Sequence, residues 1–125
     1  YRLCLSRAED RRPFAAPRGY DRSRYALVER SLAGLVRDGA RLAMHDVLGL
    51  SELPNGKADV NSHGPFSTNL PGAIQPYPTA GTAERRRIEA EHREWAAGLL
   101  HFLASDAARF VTGVVLPVDG GYLIT

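Results

Sequence analysis

Apolar positions recur at helical spacing in two stretches of this chain, alternate at strand spacing in one and form a continuous run in another. Tyr1 to Leu5 alternates as a short strand does. Arg7 to Gly19, with two prolines and many charges, reads as a loop. Tyr25, Val28, Leu32, Leu35 and Val36 form one apolar stripe, which predicts a helix capped by Asp21 and ended at Asp38-Gly39. Ile88, Trp95, Leu99, Phe102 and Leu103 form a longer stripe. It predicts a helix from an N-cap at Thr82, with Glu84 in the first turn, through Ala104. Charged residues cover the rest of that helix, and Glu89 and Arg93 stand one turn apart as a potential pair. Arg41 to Leu50 fits helix or strand equally. Ser105-Asp106 restarts a helical turn through Arg109, which Thr112-Gly113 breaks, and Val114 to Val118 then suits a buried strand.

Between the two helices the pattern dissolves. Four of the chain's 12 glycines and five of its 8 prolines fall in Leu53 to Gly81, with turn signals at Pro54-Asn55-Gly56, Gly64-Pro65, Pro71-Gly72, Pro76 and Pro78. This predicts one long irregular loop, a feature uncommon in an independent compact domain and better suited to a piece resting on a larger protein. The expected fold is α+β: a small single domain or fragment with two main helices, a long Gly/Pro-rich loop and a few short strands, including a C-terminal strand at 114–118. That strand is expected to pair with Tyr1–Leu5. The Tyr1 start reads as a beginning within a protein.

Composition narrows the function classes. At 125 residues the chain holds one domain at most. A net charge of +2 gives no global case for nucleic acid, and the acidic Glu9, Asp10 and Asp21 dilute the Arg-rich N-terminal stretch. Cys4 is the single cysteine, so no internal disulfide forms and a cytoplasmic location is expected. No apolar run reaches the roughly 20 residues of a membrane span, so no membrane role is expected. The 88–103 helix and the 114–118 strand would need cover, from a homo-oligomer or a partner chain.

No recognisable catalytic centre stands in the sequence. It has no G-x-G-x-x-G, no G-x-x-x-x-G-K-[ST] and no G-x-S-x-G. His45, His63, His92 and His101 show no zinc-helix spacing, so no metal site is expected; His92 and His101 read as half-buried helix residues. The Gly/Asn/Asp-rich stretch offers a ligand-contact surface instead. Asn55, Gly56, Lys57, Asp59, Asn61, Ser67 and Thr68 supply donors and acceptors on a backbone that glycine lets a ligand approach closely. Lys57 is the chain's only lysine. The competing reading is that these groups satisfy one another and the loop's own turns.

Two resemblances divide the chain. Gly19-Tyr20-Asp21, Arg24-Tyr25, Gly49-Leu50, Leu53 to Lys57, Asp59-Val60-Asn61, Gly64 and Phe66-Ser67-Thr68 resemble the interior of FAD-dependent oxidoreductases of the xanthan-lyase-associated type. Tyr77-Pro78, Arg87-Ile88, His92 and Gly98-Leu99-Leu100 continue that resemblance, so it covers about residues 1–106. It departs at Ser62 and Asn69, where Asn and Asp would be expected. Phe102 to Asp106, Thr112-Gly113 and Leu116-Pro117-Val118-Asp119-Gly120-Gly121 resemble the end of a short-chain dehydrogenase/reductase, over about residues 102–125. The implied division is 1–106, a flavoprotein-like substrate-side fragment, and 107–125, a dehydrogenase-like strand and tail. The first resemblance implies a fragment of a flavin oxidoreductase, with FAD as cofactor of the complete relative and not bound by this chain alone. The second implies an NAD(P)-dependent enzyme, whose tyrosine–lysine catalytic pair is absent: four residues after Tyr20 stands Arg24, which stays charged and differs in geometry from an ammonium. The third reading is a non-catalytic helical interaction protein.

Overall fold

The computed structural model describes residues 2–4, 15–36, 42–54, 57–62 and 66–105. The fold is α+β. Strand β1 (Arg2–Cys4) is followed by a 3-10 turn (Arg22–Tyr25) that runs into α1 (Ala26–Leu35). Next come α2 (Met44–Val47), β2 (Leu48–Leu53), β3 (Lys57–Ser62) and α3 (Thr82–Ala104). The sheet is antiparallel with order β1-β3-β2, so β3 is central.

The hairpin β2–β3 corrects the expectation of one loop from Leu53 to Gly81. Leu48 pairs with Ser62, Leu50 with Val60 and Leu53 with Lys57, so the two strands form an antiparallel pair. Asn-Gly between two runs is a strong local hairpin signal, because both residues accept positive φ cheaply. The irregular segment therefore starts only after β3. Arg41–Leu50 resolves as both candidates at once, with a single helical turn in α2 leading straight into β2. β1 pairs with β3, Arg2 opposite Asp59. The expected strand at 114–118, and its pairing with β1, lie outside the described residues, as do the helix stop at Asp38-Gly39 and the turn at Asp106–Arg109.

Both main helices form where the stripes place them, with differences at their starts. Asp21 does cap, accepting a hydrogen bond from the Ser23 backbone N–H at 2.9 Å, but it caps the 3-10 turn that precedes α1. The N-cap of α3 is Gly81, not Thr82, and no side chain caps that end. At the other end Ser105 closes α3, its N–H and hydroxyl both donating to the Phe102 carbonyl at 3.2 and 2.7 Å. Ion pairing on the exposed face runs from Arg87 to Glu84 and Glu91, each at 2.7 Å, and not from Glu89 to Arg93.

The core gathers the second half of α3 with Tyr25, Leu32, Leu42, Val47, Leu48, Val60 and Phe66. Leu99, Leu100, Phe102 and Leu103 of α3 are all buried there. Full burial of each large side chain is worth about 1.5–3 kcal/mol. Tyr25 is the centre: its ring lies 4.9 Å from that of Trp95 and 5.9 Å from that of Phe102, and its hydroxyl donates to the Trp95 carbonyl at 3.1 Å. Leu27 and Leu35 of α1 stay exposed, so the α1 stripe is buried only through Leu32, with Val28 and Val36 at its margin.

Gly98 explains how Tyr25 comes so close. A Cβ at position 98 would overlap the Tyr25 hydroxyl and stand 2.8 Å from Cζ. Gly98→Ala therefore forces the ring out of place and is expected to cost about 1–3 kcal/mol in urea denaturation, although alanine is the better helix former. Tyr25→Phe in that background removes the overlapping oxygen and is expected to recover part of the loss; an additive double mutant would separate the two sites.

Asp21 generates a second prediction. The Ser23 hydroxyl, then its backbone N–H, hold the Asp21 carboxyl below the usual carboxylate range. A depressed folded value means that the cap's contribution is present at neutral pH and lost as pH falls through that value. The wild-type chain should show a higher urea midpoint than Asp21→Ala at pH 7. The difference should shrink as pH drops below about 4, the unfolded carboxylate range.

Candidate functional site

The sequence candidates separate into two groups. Asn55 and Gly56 lie outside the described residues. Lys57, Asp59 and Asn61 take alternate positions along β3. Their neighbours in register are Cys4 and Leu53 beside Lys57, Arg2 and Ser51 beside Asp59, and Gly49 beside Asn61. Asp59 is half-buried. The alternate residue Val60 is 2% exposed and belongs to the core, which accounts for the anchoring of β3.

Ser67 and Thr68 stand elsewhere, on the loop that leaves the sheet for α3. Phe66 is buried in the core and fixes the loop's start. The Trp95 indole N–H donates to the Ser67 carbonyl at 3.3 Å, and the Asn69 N–H donates to the Ser67 hydroxyl at 3.0 Å. Part of the reading that these groups satisfy their own turn is thus realised at Ser67. Thr68 differs. It is 2% exposed, and its hydroxyl has no hydrogen-bond partner among the described residues. A buried hydroxyl without a partner carries a desolvation cost of about 1–3 kcal/mol.

The aromatic residues that sequence reasoning placed in a core stripe form a second feature. The turn that carries Tyr20 depends on Gly19 at φ 76°, where the Tyr20 N–H donates to the Pro17 carbonyl at 3.0 Å. Tyr20 meets the edge of His101 at 4.6 Å and stacks near Tyr25 at 5.9 Å. Burial raises the phenol pKa of both tyrosines. Arg24 lies over the Trp95 ring, 6.0 Å from its centre. Arg24 and Tyr20 thus engage different rings, and the pair does not reproduce a tyrosine–lysine catalytic arrangement.

A third feature was invisible in the sequence. After Pro71-Gly72, with Gly72 at φ 76°, a run of turns crosses the first half of α3. Arg85 donates to the Tyr77 carbonyl at 3.1 Å and the Pro78 carbonyl at 3.0 Å, and its guanidinium lies 5.4 Å from the Tyr77 ring centre. The Tyr77 hydroxyl donates to Glu89, which raises the phenol pKa. His92, one turn beyond, donates from Nδ1 to the Ile88 carbonyl at 2.9 Å. Among the described residues no three His, Cys, Asp or Glu side chains gather as a metal site. No described helix is long and apolar enough to cross a membrane.

Comparison with known proteins adds one likeness. The chain is 35% identical over 101 residues, 80% of its length, to cis-4-hydroxycyclohexanecarboxylate dehydrogenase of Sinomonas cyclohexanicum. It spans 37% of that enzyme. No protein-family model matches the chain, and no solved structure matches it. The likeness supports a relationship to an oxidoreductase, and specifically to a dehydrogenase. It gives no support to FAD or to the flavoprotein resemblance.

The orphaned hydroxyl of Thr68 provides a direct check on this part of the structure. Thr68→Val removes the oxygen and keeps the shape, so it is expected to stabilise the chain by about 1 kcal/mol in urea denaturation. A loss of stability instead would mean that the hydroxyl is satisfied by a group beyond the described residues.

Proposed function

We propose that this chain is part of a dehydrogenase of the short-chain type and that its β2–β3 hairpin and the loop through Thr68 form a piece of the wall around the substrate. The observation that carries this reading is the reach of the likeness. A match over 101 residues is far longer than the dehydrogenase-like tail of about residues 102–125, so it draws in the stretch that resembles flavoproteins. The tail motif Thr112-Gly113 and Leu116 to Gly121 points to the same enzyme class.

The chemistry assigned to the chain is binding, not hydride transfer. A short-chain dehydrogenase moves a hydride from a hydroxyl-bearing carbon to NAD(P)+ while a tyrosine takes the hydroxyl proton, helped by a nearby lysine. This chain carries no tyrosine–lysine pair at that spacing and no Gly-rich dinucleotide turn. What it offers is the polar row Lys57, Asp59 and Asn61 on β3, with Ser67 and Thr68 farther along. A lysine suits a carboxylate, and Asp59 and Asn61 suit a hydroxyl. A ring bearing both groups, as in the substrate that the relative's name states, is the ligand class to test first.

Titration calorimetry of the chain separates the readings. The hydroxy acid cis-4-hydroxycyclohexanecarboxylate is expected to bind weakly, with a Kd of about 1 mM or ~−4 kcal/mol. Lys57→Ala is expected to abolish measurable binding, while FAD and NAD+ give no saturable heat with the chain alone. Saturable binding of FAD with no response to the hydroxy acid would overturn the dehydrogenase reading in favour of the flavoprotein one.

A further inference from the structure

We propose that residues 71–80 form a latched strap that opens as a unit over the first half of α3 while the core stays folded, with Arg85 and Tyr77 as the latch. The inference rests on the contacts of the strap and does not need the dehydrogenase reading. Inside the strap the backbone bonds are local turns: the Tyr77 N–H to the Ile74 carbonyl, Thr79 to Pro76 and Ala80 to Tyr77, at 2.9, 3.2 and 3.3 Å. Among the described residues none of these bonds ties it to the sheet. Its connection to α3 runs through Arg85, which holds the carbonyls of Tyr77 and Pro78, and through the Tyr77 hydroxyl on Glu89. At its root, Trp95 holds Ser67.

What lies beneath gives the latch a purpose. Arg85, Ile88, Glu89 and His92 are spaced three and four residues apart, so they share one face of α3. Arg85 and Glu89 both grip Tyr77, so the strap passes over the position between them. Ile88 is 1% exposed, yet it does not join the main core cluster. The strap itself brings little apolar anchorage: none of its residues is fully buried, and Ile74 is 59% exposed. Segments held by solvent-exposed hydrogen bonds and few buried apolar contacts open at lower free energy than the global unfolding. Opening here uncovers the Ile88 face of α3.

Amide hydrogen exchange of the 125-residue chain, read by NMR, tests this. Arg85→Ala is expected to speed exchange at Tyr77, Thr79 and Ala80 by about tenfold, the factor for losing two hydrogen bonds of modest net strength. Exchange at Leu99, Phe102 and Leu103 should stay unchanged. Tyr77→Phe, which loses only the bond to Glu89, should give a smaller increase at the same amides. The proposal is overturned if Arg85→Ala leaves the strap amides unchanged, or if it speeds strap and core amides by the same factor, which would make the strap part of one cooperative unit.

Discussion

The contact between Tyr25 and Gly98 is the constraint on which the other packing depends. Tyr25 sits at the junction of the 3-10 turn with α1, and Gly98 sits inside α3. Only a residue without Cβ lets the phenol ring lie against the helix backbone there. A glycine inside a helix costs about 0.5–1 kcal/mol relative to alanine. That cost is offset because the ring then reaches Trp95 and Phe102 and its hydroxyl finds the Trp95 carbonyl. The same indole holds Ser67 by its N–H, so the position of the loop bearing the candidate site follows from the Tyr25 contact through a single intervening side chain.

The helices were legible in the sequence because burial imposes a periodicity on them. The α3 stripe of Ile88, Trp95, Leu99, Phe102 and Leu103 is the face that packs, and Ile88, Leu99, Phe102 and Leu103 are each 2% exposed or less. The α1 stripe was legible only in part. Leu35 is 49% exposed, because the helix turns that position away after Leu32 has entered the core. The hairpin was missed for a different reason. Six-residue strands in which Gly49, Ser51, Asp59 and Asn61 interrupt the apolar positions look like loop composition, and only the register across Asn55-Gly56 makes them a pair. Cross-strand pairing is a relation between two segments, and neither segment displays it alone.

The candidate polar positions do not share one continuous loop. β3 spreads Lys57, Asp59 and Asn61 along a strand, whereas Ser67 and Thr68 lie beyond it on the loop that Phe66 and Trp95 hold. The strap had no sequence signal beyond its prolines, because its attachment runs from a guanidinium to backbone carbonyls. Any residue at 77 or 78 presents a carbonyl, so the pattern that finds helices cannot find this contact. In the sequence Arg85 is one of the charged residues that cover the rest of the α3 helix. It is distinguished from Arg87, which pairs within its own helix to Glu84 and Glu91, only by the chain that passes over it.

These contacts also bear on how two resemblances coexist in one chain. The flavoprotein-like pattern and the dehydrogenase-like tail meet at the end of α3, in Phe102-Leu103-Ala104-Ser105. Phe102 and Leu103 are buried against Tyr25 and its neighbours, and Ser105 closes the helix with its own hydroxyl. The helix is therefore complete, in packing and in capping, before residue 106. The dehydrogenase likeness over 80% of the chain then cannot rest on the tail alone. It must include residues that build this core, since a match of 101 residues in a chain of 125 reaches back through α3 and the hairpin.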